Sequence, residues 1–317
     1  MSTRERLRQL LEENPGGFLS GEKIAKELGI SRAAVCKAAK ALRDQGIPIE
    51  AVTRKGYCLQ ENADLLSQEK LQAQLAPFWQ IQVMDQVPST NSLLRELALQ
   101  GAPSGTVILA RSQSAGRGRM GREFYSPRNT GLYLSLLLRP QGLTPGKSLG
   151  ITTMAASALC LAVEEVTDKA PQIKWVNDLM LGGRKISGIL TEGALSMETG
   201  NMDFVVLGLG INLYPPQNGF PEELQNIAGV LCETPQKDLK NRLTEAFLRH
   251  FLYFYKGSHL EEAAEIYRRR SILVGREILT EGKRAKVLDI NDQCQLVVEY
   301  ADGSRRNLSY GEVSIVN

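Results

Sequence analysis

The residues with the clearest capacity for chemistry lie in one short segment, Gly116-Arg117-Gly118-Arg119-Met120-Gly121-Arg122. Its composition disfavours a helix or a strand, because glycine loses much backbone entropy on folding and neighbouring arginines repel each other. The segment therefore predicts a loop that is mobile until an anion arrives. Glycine N–H groups beside guanidinium forks suit a triphosphate or an acyl phosphate. A flexible basic surface loop is the alternative that this composition also fits.

A second candidate group combines the run Lys174-Trp175-Val176-Asn177-Asp178 with the strand-like segment 184–190, which begins Arg184-Lys185. Lys185 opens a strand with apolar neighbours, and a partly desolvated ammonium is costly unless it meets an anion. The alternative is an exposed lysine at a strand end, with Asp178 as its ion-pair partner.

Ser89-Thr90-Asn91 forms a third candidate group after the strand-like run 81–84. On its own this triplet is most simply explained as the N-cap of a helix, since caps strongly favour these residue types.

The elements that must position these groups form an alternating α/β region. Apolar strand-like runs fall at 81–84, 106–110, 132–138, 173–176, 186–191 and 204–211. Helical patterns fall at 91–100, 148–166, 236–255 and 259–270. Gly182-Gly183 predicts a hairpin, so the sheet is expected to be mixed rather than purely parallel.

The first sixty residues predict three short helices and a β-hairpin. Ser20 and Ser31 are placed to cap the second and third helices, and Gly29 to make the turn between them. The hairpin has a basic tip, Thr53-Arg54-Lys55-Gly56. This is the pattern of a winged helix-turn-helix. The segment holds 11 Lys and Arg against 7 Asp and Glu in a chain of net charge +3, which favours nucleic-acid contact by this part alone.

The end of the chain, 276–316, is a series of short strands with turns at Glu281-Gly282, Asn291-Asp292 and Asp302-Gly303. This pattern predicts a small β-barrel. We therefore expect four parts: a winged helix-turn-helix at 1–60, a linker at 61–66, a catalytic domain at 67–271 and the barrel at 272–317.

Composition excludes several other classes of site. The five cysteines are far apart and odd in number, which argues against a disulfide framework or a zinc ribbon, and two histidines cannot supply a His-rich metal site. The start of the chain alternates charged residues with leucine and lacks the apolar run of a secretory signal. We expect a cytoplasmic protein without a membrane-spanning segment.

Four motifs, in this order along the chain, resemble those of biotin–protein ligases. They are the arginine loop at 116–122, Lys-Trp-x-Asn-Asp at 174–178, Arg-Lys-Ile-Ser-Gly-Ile-Leu at 184–190 and Gly-x-Gly-Ile-Asn at 208–212. With the winged helix, the resemblance is to the bifunctional class, in which the ligase is also the biotin-operon repressor. Two positions depart from that pattern: Met120 replaces a common arginine, and Val176 replaces a usual proline.

The resemblance implies an α+β multidomain fold, with a class II synthetase-like mixed sheet in the ligase domain and an SH3-like C-terminal barrel. It also implies that biotin and ATP, with Mg²⁺, form biotinyl-5′-AMP, which then biotinylates a lysine of biotin carboxyl carrier protein. A homodimer formed in the adenylate-bound state would bind operator DNA. Two alternatives remain: a ligand-sensing transcription factor without ligase activity, and a lipoate-type ligase on a related fold.

Residue roles are implied by the same resemblance. Ser89, Thr90 and Gln113 would hydrogen-bond the biotin head, and Lys185 would lie between its carboxylate and the α-phosphate. The implied biotin-binding set is Ser89, Thr90, Asn91, Gln113, Gly116, Arg117, Gly118, Arg119, Lys185 and Gly188. The implied nucleotide-binding set is Arg119, Arg122, Phe124, Asn177 and Asn212. Lys185, Arg119 and Asp178 are the implied catalytic residues, and Asp178 is also the candidate metal ligand.

DNA contacts are expected from the third helix and the wing. Candidate groove-reading residues are Ser31, Arg32, Ala33, Lys37 and Lys40, and candidate phosphate contacts are Arg54 and Lys55. A solvated helix face is the alternative for the same charges.

Overall fold

The structure, a computed structural model, describes residues 2–316. It divides into two compact units, one formed by Met1–Leu66 with Thr234–Lys240 and the other by Ser67–Glu233 with Asn241–Asn317. The four-part division expected from the sequence stays a prediction.

The first unit is a three-helix core with a hairpin. Its elements are α1 (Thr3–Glu12), α2 (Gly21–Leu28), α3 (Arg32–Asp44), β1 (Ile49–Val52) and β2 (Gly56–Leu59). Ser20 and Ser31 accept hydrogen bonds from backbone N–H groups of their helices, and Gly29 ends α2 in the left-handed conformation, with φ of 67°. The apolar faces of the helices pack together, and β1 pairs with β2 in antiparallel register. The predicted winged helix-turn-helix is confirmed.

Asp64 of the expected linker is a buried carboxylate in this unit. Its Oδ1 accepts from the backbone N–H of Lys240 at 2.8 Å, and the Lys240 ammonium donates to the Asp64 carbonyl oxygen at 3.0 Å. The linker therefore has fixed tertiary contacts.

The second unit is built on a seven-stranded mixed sheet. Its strands are β3 (Gln80–Met84), β4 (Thr106–Ala110), β5 (Gly131–Leu138), β6 (Gln172–Lys174), β7 (Asp178–Leu181), β8 (Arg184–Leu195) and β9 (Met202–Asn212). Their order is β3-β4-β5-β9-β8-β7-β6. The β3 and β4 pair is parallel and the other pairs are antiparallel. The sheet is therefore mixed, as expected from the glycine pair between β7 and β8.

Two boundaries of this sheet differ from the expected ones. The strand expected at 173–176 ends at Lys174, because residues 175–177 form the turn into β7. The strand expected at 186–191 runs from Arg184 to Leu195, since β9 pairs with it as far as Leu195.

Five helices complete this part of the fold: α4 (Gln68–Gln74), α5 (Thr90–Leu99), α6 (Leu149–Val166), α7 (Leu239–Lys256) and α8 (Leu260–Arg270). The segment Pro145–Val166, which contains α6, is long and apolar enough to cross a membrane, but 78% of its most apolar window is buried inside the fold. Its small and hydroxyl side chains permit close packing, as where Ser157 donates to the Ala263 carbonyl at 2.7 Å. The burial is that of a core helix.

The C-terminal residues form a separate five-stranded antiparallel sheet in the second unit. Its strands are β10 (Glu277–Thr280), β11 (Lys283–Ile290), β12 (Leu296–Tyr300), β13 (Arg305–Leu308) and β14 (Ser314–Ile315). Their order is β13-β12-β11-β10-β14. Alternate residues of β11 are buried, and the three predicted turns join consecutive strands.

Candidate active site

A cavity of about 640 Å³ gathers most of the residues selected from the sequence. Fourteen of the fifteen predicted ligand-binding and catalytic residues line it, including Arg119, Lys185 and Asp178. The exception is Gly116, the buried first residue of the loop. The arginine loop and Lys185 therefore border the same space.

One end of the cavity carries neutral hydrogen-bonding groups. Ser89 and Thr90 stand at the start of α5, where the Ser89 hydroxyl accepts from the Ser92 N–H at 3.4 Å. The Gln113 Oε1 accepts from the Thr90 backbone N–H at 2.8 Å and faces the Thr90 hydroxyl at 3.1 Å. The Gln113 Nε2 donates to the Ser126 hydroxyl at 2.9 Å. The triplet is thus both a helix cap and a cavity wall.

Asn91 is fixed at the same end by partners on two strands. The hydroxyl of Ser135, on β5, donates to the Asn91 Oδ1 at 2.5 Å, and the Asn91 Nδ2 donates to Glu192 on β8 at 2.9 Å. A Cβ at position 208 would lie 2.1 Å from the Asn91 Oδ1, so Gly208 is required for this approach. The first glycine of the fourth motif, Gly208, is therefore needed for packing against Asn91.

The arginine loop folds back on itself. The Gly118 N–H donates to the Arg122 carbonyl at 2.7 Å, and the Phe124 N–H donates to the Gly116 carbonyl at 2.9 Å. A Cβ on Gly116 would lie 2.3 Å from the Phe124 carbonyl oxygen, so the backbone there approaches too closely for any other residue. Met120 takes a left-handed conformation, with φ of 55°, and its side chain is 75% exposed.

Each arginine of the loop has an acceptor within the protein. Arg117 pairs with Glu192 at 3.0 Å, and Arg122 pairs with Glu312 at 2.5 Å. Arg119 donates to the Asn177 Oδ1 at 3.2 Å and to the Gly311 carbonyl at 3.3 Å. Carboxylates from β8 and from the C-terminal segment thus supply counter-charges to two of the three arginines, and the mobility expected of the loop stays a prediction.

Lys185 and Asp178 form an ion pair across β8 and β7. The ammonium lies 2.7 Å from the Asp178 Oδ1, and the two side chains are 31% and 23% exposed. This is the ion pair expected if Lys185 is simply an exposed lysine at a strand end, yet both groups also line the cavity. Gly188 lies directly beside the Lys185 side chain, since a Cβ there would lie 3.4 Å from the Lys185 Nζ.

Phe124 and Asn212 form another part of the wall. A Cβ at position 210 would lie 2.5 Å from the Phe124 ring, so Gly210 allows the ring to approach β9 closely. The Asn212 Nδ2 donates to the Gly229 carbonyl at 3.1 Å. An aromatic face beside an amide is suited to a planar base.

The turn that carries Asn177 and Asp178 rests on a buried tyrosine. The Tyr267 hydroxyl donates to the Val176 carbonyl at 3.0 Å. Burial raises the pKa of Tyr267 well above its usual value, so the hydroxyl remains a neutral donor. The Trp175–Val176 peptide bond in this turn is cis.

Sequence reasoning missed several lining residues. Apolar side chains come from the segment between β9 and α7. Further lining residues come from the short segment that leads into β14. These residues are Phe220, Leu224, Ile227, Ala228, Gly311, Glu312, Val313 and Ser314. They belong to no periodic pattern or motif, and they reach the cavity only through tertiary folding.

Oxygen-bearing side chains on the cavity wall are the candidates for holding a metal ion. Within residues 2–316 there is no cluster of three or more His, Cys, Asp and Glu side chains that could hold a metal ion. Asp178 supplies a carboxylate beside the Asn177 amide. Such a sparse set fits Mg²⁺ that arrives with a nucleotide, because Mg²⁺ usually takes one or two carboxylates together with phosphate oxygens and water.

The seven candidate DNA-contacting residues are all exposed on the first unit: Ser31, Arg32, Ala33, Lys37, Lys40, Arg54 and Lys55. Val35 and Leu42 face the core from the opposite side of α3. In the wing, the Lys55 ammonium lies 5.6 Å from the centre of the Phe18 ring. The recognition helix and the wing thus present their charges to solvent.

Comparisons with known proteins agree with this arrangement. A model of the biotin/lipoate A/B protein ligase family matches residues 83–212, and a helix-turn-helix domain model matches residues 3–58. The bifunctional ligase/repressor BirA of Bacillus subtilis is 38% identical over 237 residues, which cover 73% of this chain and 71% of that protein. BirA of Escherichia coli is 37% identical over 199 residues, covering 62% of this chain and 60% of that protein.

A solved structure of a biotin protein ligase also resembles this chain. The biotin protein ligase of Aquifex aeolicus in complex with biotin and ATP aligns with a TM-score of 0.61 and 25% identity, over 74% of this chain and 98% of that one. The fold and the cavity thus define a ligase unit accompanied by a helix-turn-helix unit. The chain belongs to the biotin/lipoate protein ligase family, among relatives that are bifunctional ligase/repressors.

Proposed function

We propose that this protein uses ATP to convert biotin to biotinyl-5′-AMP, transfers the biotinyl group to a lysine of biotin carboxyl carrier protein, and represses biotin-synthesis genes. The proposed ligase chemistry rests on one observation. The arginine loop, Lys185 and a group of neutral hydrogen-bonding side chains all line the same cavity. The two alternatives are not favoured by the relatives, which are named as ligases and as repressors.

In the first step an oxygen of the biotin carboxylate forms a bond to the α-phosphorus of ATP. The bond from that phosphorus to the bridging oxygen breaks, and pyrophosphate leaves with the electron pair. Two anions must approach each other, so fixed positive charge at the reacting atoms lowers the barrier. Lys185 and Arg119 supply that charge in this assignment.

Arg119 suits this role because of how it is held. The hydrogen-bond acceptors that the structure gives it are two neutral oxygens, from Asn177 and Gly311. Its charge is therefore not neutralised by those contacts, whereas Arg117 and Arg122 each face a carboxylate. A guanidinium placed in this way can take a phosphate oxygen as its counter-charge.

The neutral end of the cavity takes the ring system of biotin in this proposal. Ser89, Thr90 and Gln113 offer hydroxyl and amide groups that match the donors and acceptors of a ureido group. Phe124 and Asn212 then hold the adenine, and Arg122 and Asn177 lie beside the phosphates. The acid chain runs toward Lys185, which orients the carboxylate for attack.

Mg²⁺ would be held by Asp178, with the Asn177 amide nearby. The ion neutralises phosphate charge when it is bound. Asp178 also fixes the Lys185 ammonium at 2.7 Å, so the two groups are positioned together.

In the second step the neutral amine of the acceptor lysine attacks the acyl carbon of the adenylate. The amide bond forms, the bond from the acyl carbon to the phosphate oxygen breaks, and AMP leaves while the amine loses a proton. A mixed anhydride hydrolyses in water, so the folded arginine loop also protects it until the acceptor arrives.

The test of ligase function is mass spectrometry of a biotin carboxyl carrier domain after incubation with this protein, ATP and biotin. The expected result is one added biotinyl group on one lysine, and no addition when ATP is omitted. Lipoate in place of biotin is the control for the alternative of a lipoate-type ligase. An unmodified carrier under all conditions would exclude the ligase.

Repression is assigned to the winged helix of a homodimer that forms when the adenylate is bound. A dimer presents two recognition helices to the two halves of a palindromic site. Sedimentation of the cytoplasmic protein with and without biotinyl-5′-AMP tests this, with stronger self-association expected when ligand is present. Equal association in both states would refute the coupling.

A further inference from the structure

Glu192 belongs to none of the motifs that define the site. It lies on β8, four residues after Gly188 and two after Leu190, both of which line the cavity. Since alternate residues of a strand face the same side, Glu192 continues this wall beyond the cavity. Its carboxylate is consequently directed toward the end that carries Asn91 and the first arginine of the loop.

The carboxylate of Glu192 joins the loop to the buried part of the site. Its Oε1 lies 3.0 Å from one Arg117 nitrogen, its Oε2 lies 3.4 Å from the other, and Oε2 also accepts from the Asn91 Nδ2 at 2.9 Å. Asn91 is only 4% exposed. The loop arginine is thus connected through one carboxylate to a side chain fixed in the interior.

An exposed ion pair alone would contribute little, because Arg117 is 45% exposed and solvent screens the attraction. The contact with Glu192 differs from such a pair in two respects. Both terminal guanidinium nitrogens meet the carboxylate, and the carboxylate also accepts a hydrogen bond from the buried Asn91. Less side-chain entropy is then lost when Arg117 docks.

The charge pattern also separates Arg117 from Arg119, the next arginine of the loop. The ring system of biotin is uncharged, so it offers no counter-charge to a guanidinium at this end of the cavity. Glu192 offers one from the protein instead. Arg119, by contrast, has neutral acceptors and faces the phosphate end.

We infer that Glu192 is a positioning residue that holds the arginine loop over the biotin end of the cavity by pairing with Arg117 while Asn91 fixes its carboxylate. The loop's first arginine therefore serves closure, and its second serves the reacting phosphates. Loss of the carboxylate opens the loop and weakens biotin binding without removing any group that touches the reacting atoms.

The experiment compares Glu192→Gln with the wild type by limited trypsin digestion without ligand. Trypsin cuts after arginine, so the rate of cleavage within residues 116–122 reports how often the loop opens. We expect Glu192→Gln to be cleaved about tenfold faster, since a charge-assisted hydrogen bond is lost. Glu192→Asp, which keeps the charge, should lie between the two.

The matched control is Glu198→Gln, the same chemical change at an exposed glutamate in the turn after β8. It should leave the cleavage rate unchanged. A Glu192→Gln protein with the wild-type cleavage rate overturns the inference. Thermal melting of each variant shows whether the whole fold, rather than the loop, has been loosened, and the cleavage rate of Glu192→Asp decides whether the inference holds if Glu192→Gln is unstable.

The kinetic half of the inference rests on the proposed function. For biotin-dependent pyrophosphate release, Glu192→Gln should raise the KM for biotin about tenfold and change kcat less than about threefold, since only binding is affected. A fall in kcat with unchanged KM contradicts a positioning role. If the wild type releases no pyrophosphate, the proposed function fails, and the digestion still decides the role of Glu192.

Discussion

Replacing Lys185 with alanine is the sharpest test of the adenylation chemistry. The ammonium lies on the cavity wall, one third exposed, with Asp178 at 2.7 Å. Removing one donor from developing charge usually costs about 2.7–4 kcal/mol of transition-state stabilisation. We therefore expect biotin-dependent pyrophosphate release to slow by roughly 10² to 10³.

The ion pair adds a second contribution that can be measured separately. Without Lys185, the Asp178 carboxylate faces two anionic substrates and has lost the ammonium that lies 2.7 Å from it. The double variant Lys185→Ala with Asp178→Asn removes that leftover charge. If part of the loss is repulsion, the double variant should be faster than Lys185→Ala alone; if the carboxylate holds Mg²⁺ as proposed, the double variant should be slower.

The control is Arg184→Ala, which removes the neighbouring cation. Arg184 is exposed and donates to the Gln225 carbonyl at 3.0 Å, outside the set of residues that line the cavity. Its rate should stay within about twofold of the wild type, as is usual for surface substitutions. Near-normal pyrophosphate release by Lys185→Ala would refute the assignment.

Three further predictions concern the loop, the thiols and the pH dependence of stability. Gly116→Ala places a Cβ against the Phe124 carbonyl, a clash of about 1–3 kcal/mol, and should raise the KM for biotin by roughly tenfold or more. Native protein should incorporate one equivalent of a thiol reagent rapidly, at the exposed Cys36, because the other four cysteines are buried; fast labelling of more than one would contradict this. The Arg249 guanidinium lowers the pKa of Glu165 below its usual 4.5, so this carboxylate stabilises the fold at neutral pH and loses its effect as the pH falls through the lowered value. The Tm difference between wild type and Glu165→Gln should therefore shrink between pH 6 and pH 3.

Local signals in the sequence were sufficient for most of the fold. Ser20 and Ser31 cap helices because their hydroxyls reach backbone N–H groups only three residues away. Gly182 and Gly183 make the turn between β7 and β8 because both have positive φ. Such features depend on neighbouring residues alone, so the residue types predict them directly.

Contacts across long stretches of chain were not predictable. Arg119 meets the Gly311 carbonyl, 192 residues later, and a backbone carbonyl carries no sequence signal. Glu192 could be recognised as a partner of Arg117 only after β8 was seen to extend to Leu195. These partners of the arginine loop could not be named from its glycine and arginine content, because composition says nothing about distant carboxylates.

The distribution of charge in the cavity argues for biotin over lipoate as the acid. In the proposed arrangement Arg119 and Lys185 lie beside the carboxylate and phosphates, whereas Ser89, Thr90 and Gln113 supply neutral hydroxyl and amide groups at the other end of the cavity. A ureido ring can exchange hydrogen bonds with Thr90 and Gln113, whereas a dithiolane ring offers them neither donor nor strong acceptor. Sites that hydrogen-bond their substrate reject analogues lacking those groups by large factors, because the polar groups of the site are left without partners. The same carboxylate chemistry would serve both acids, so the neutral end of the cavity makes the selection.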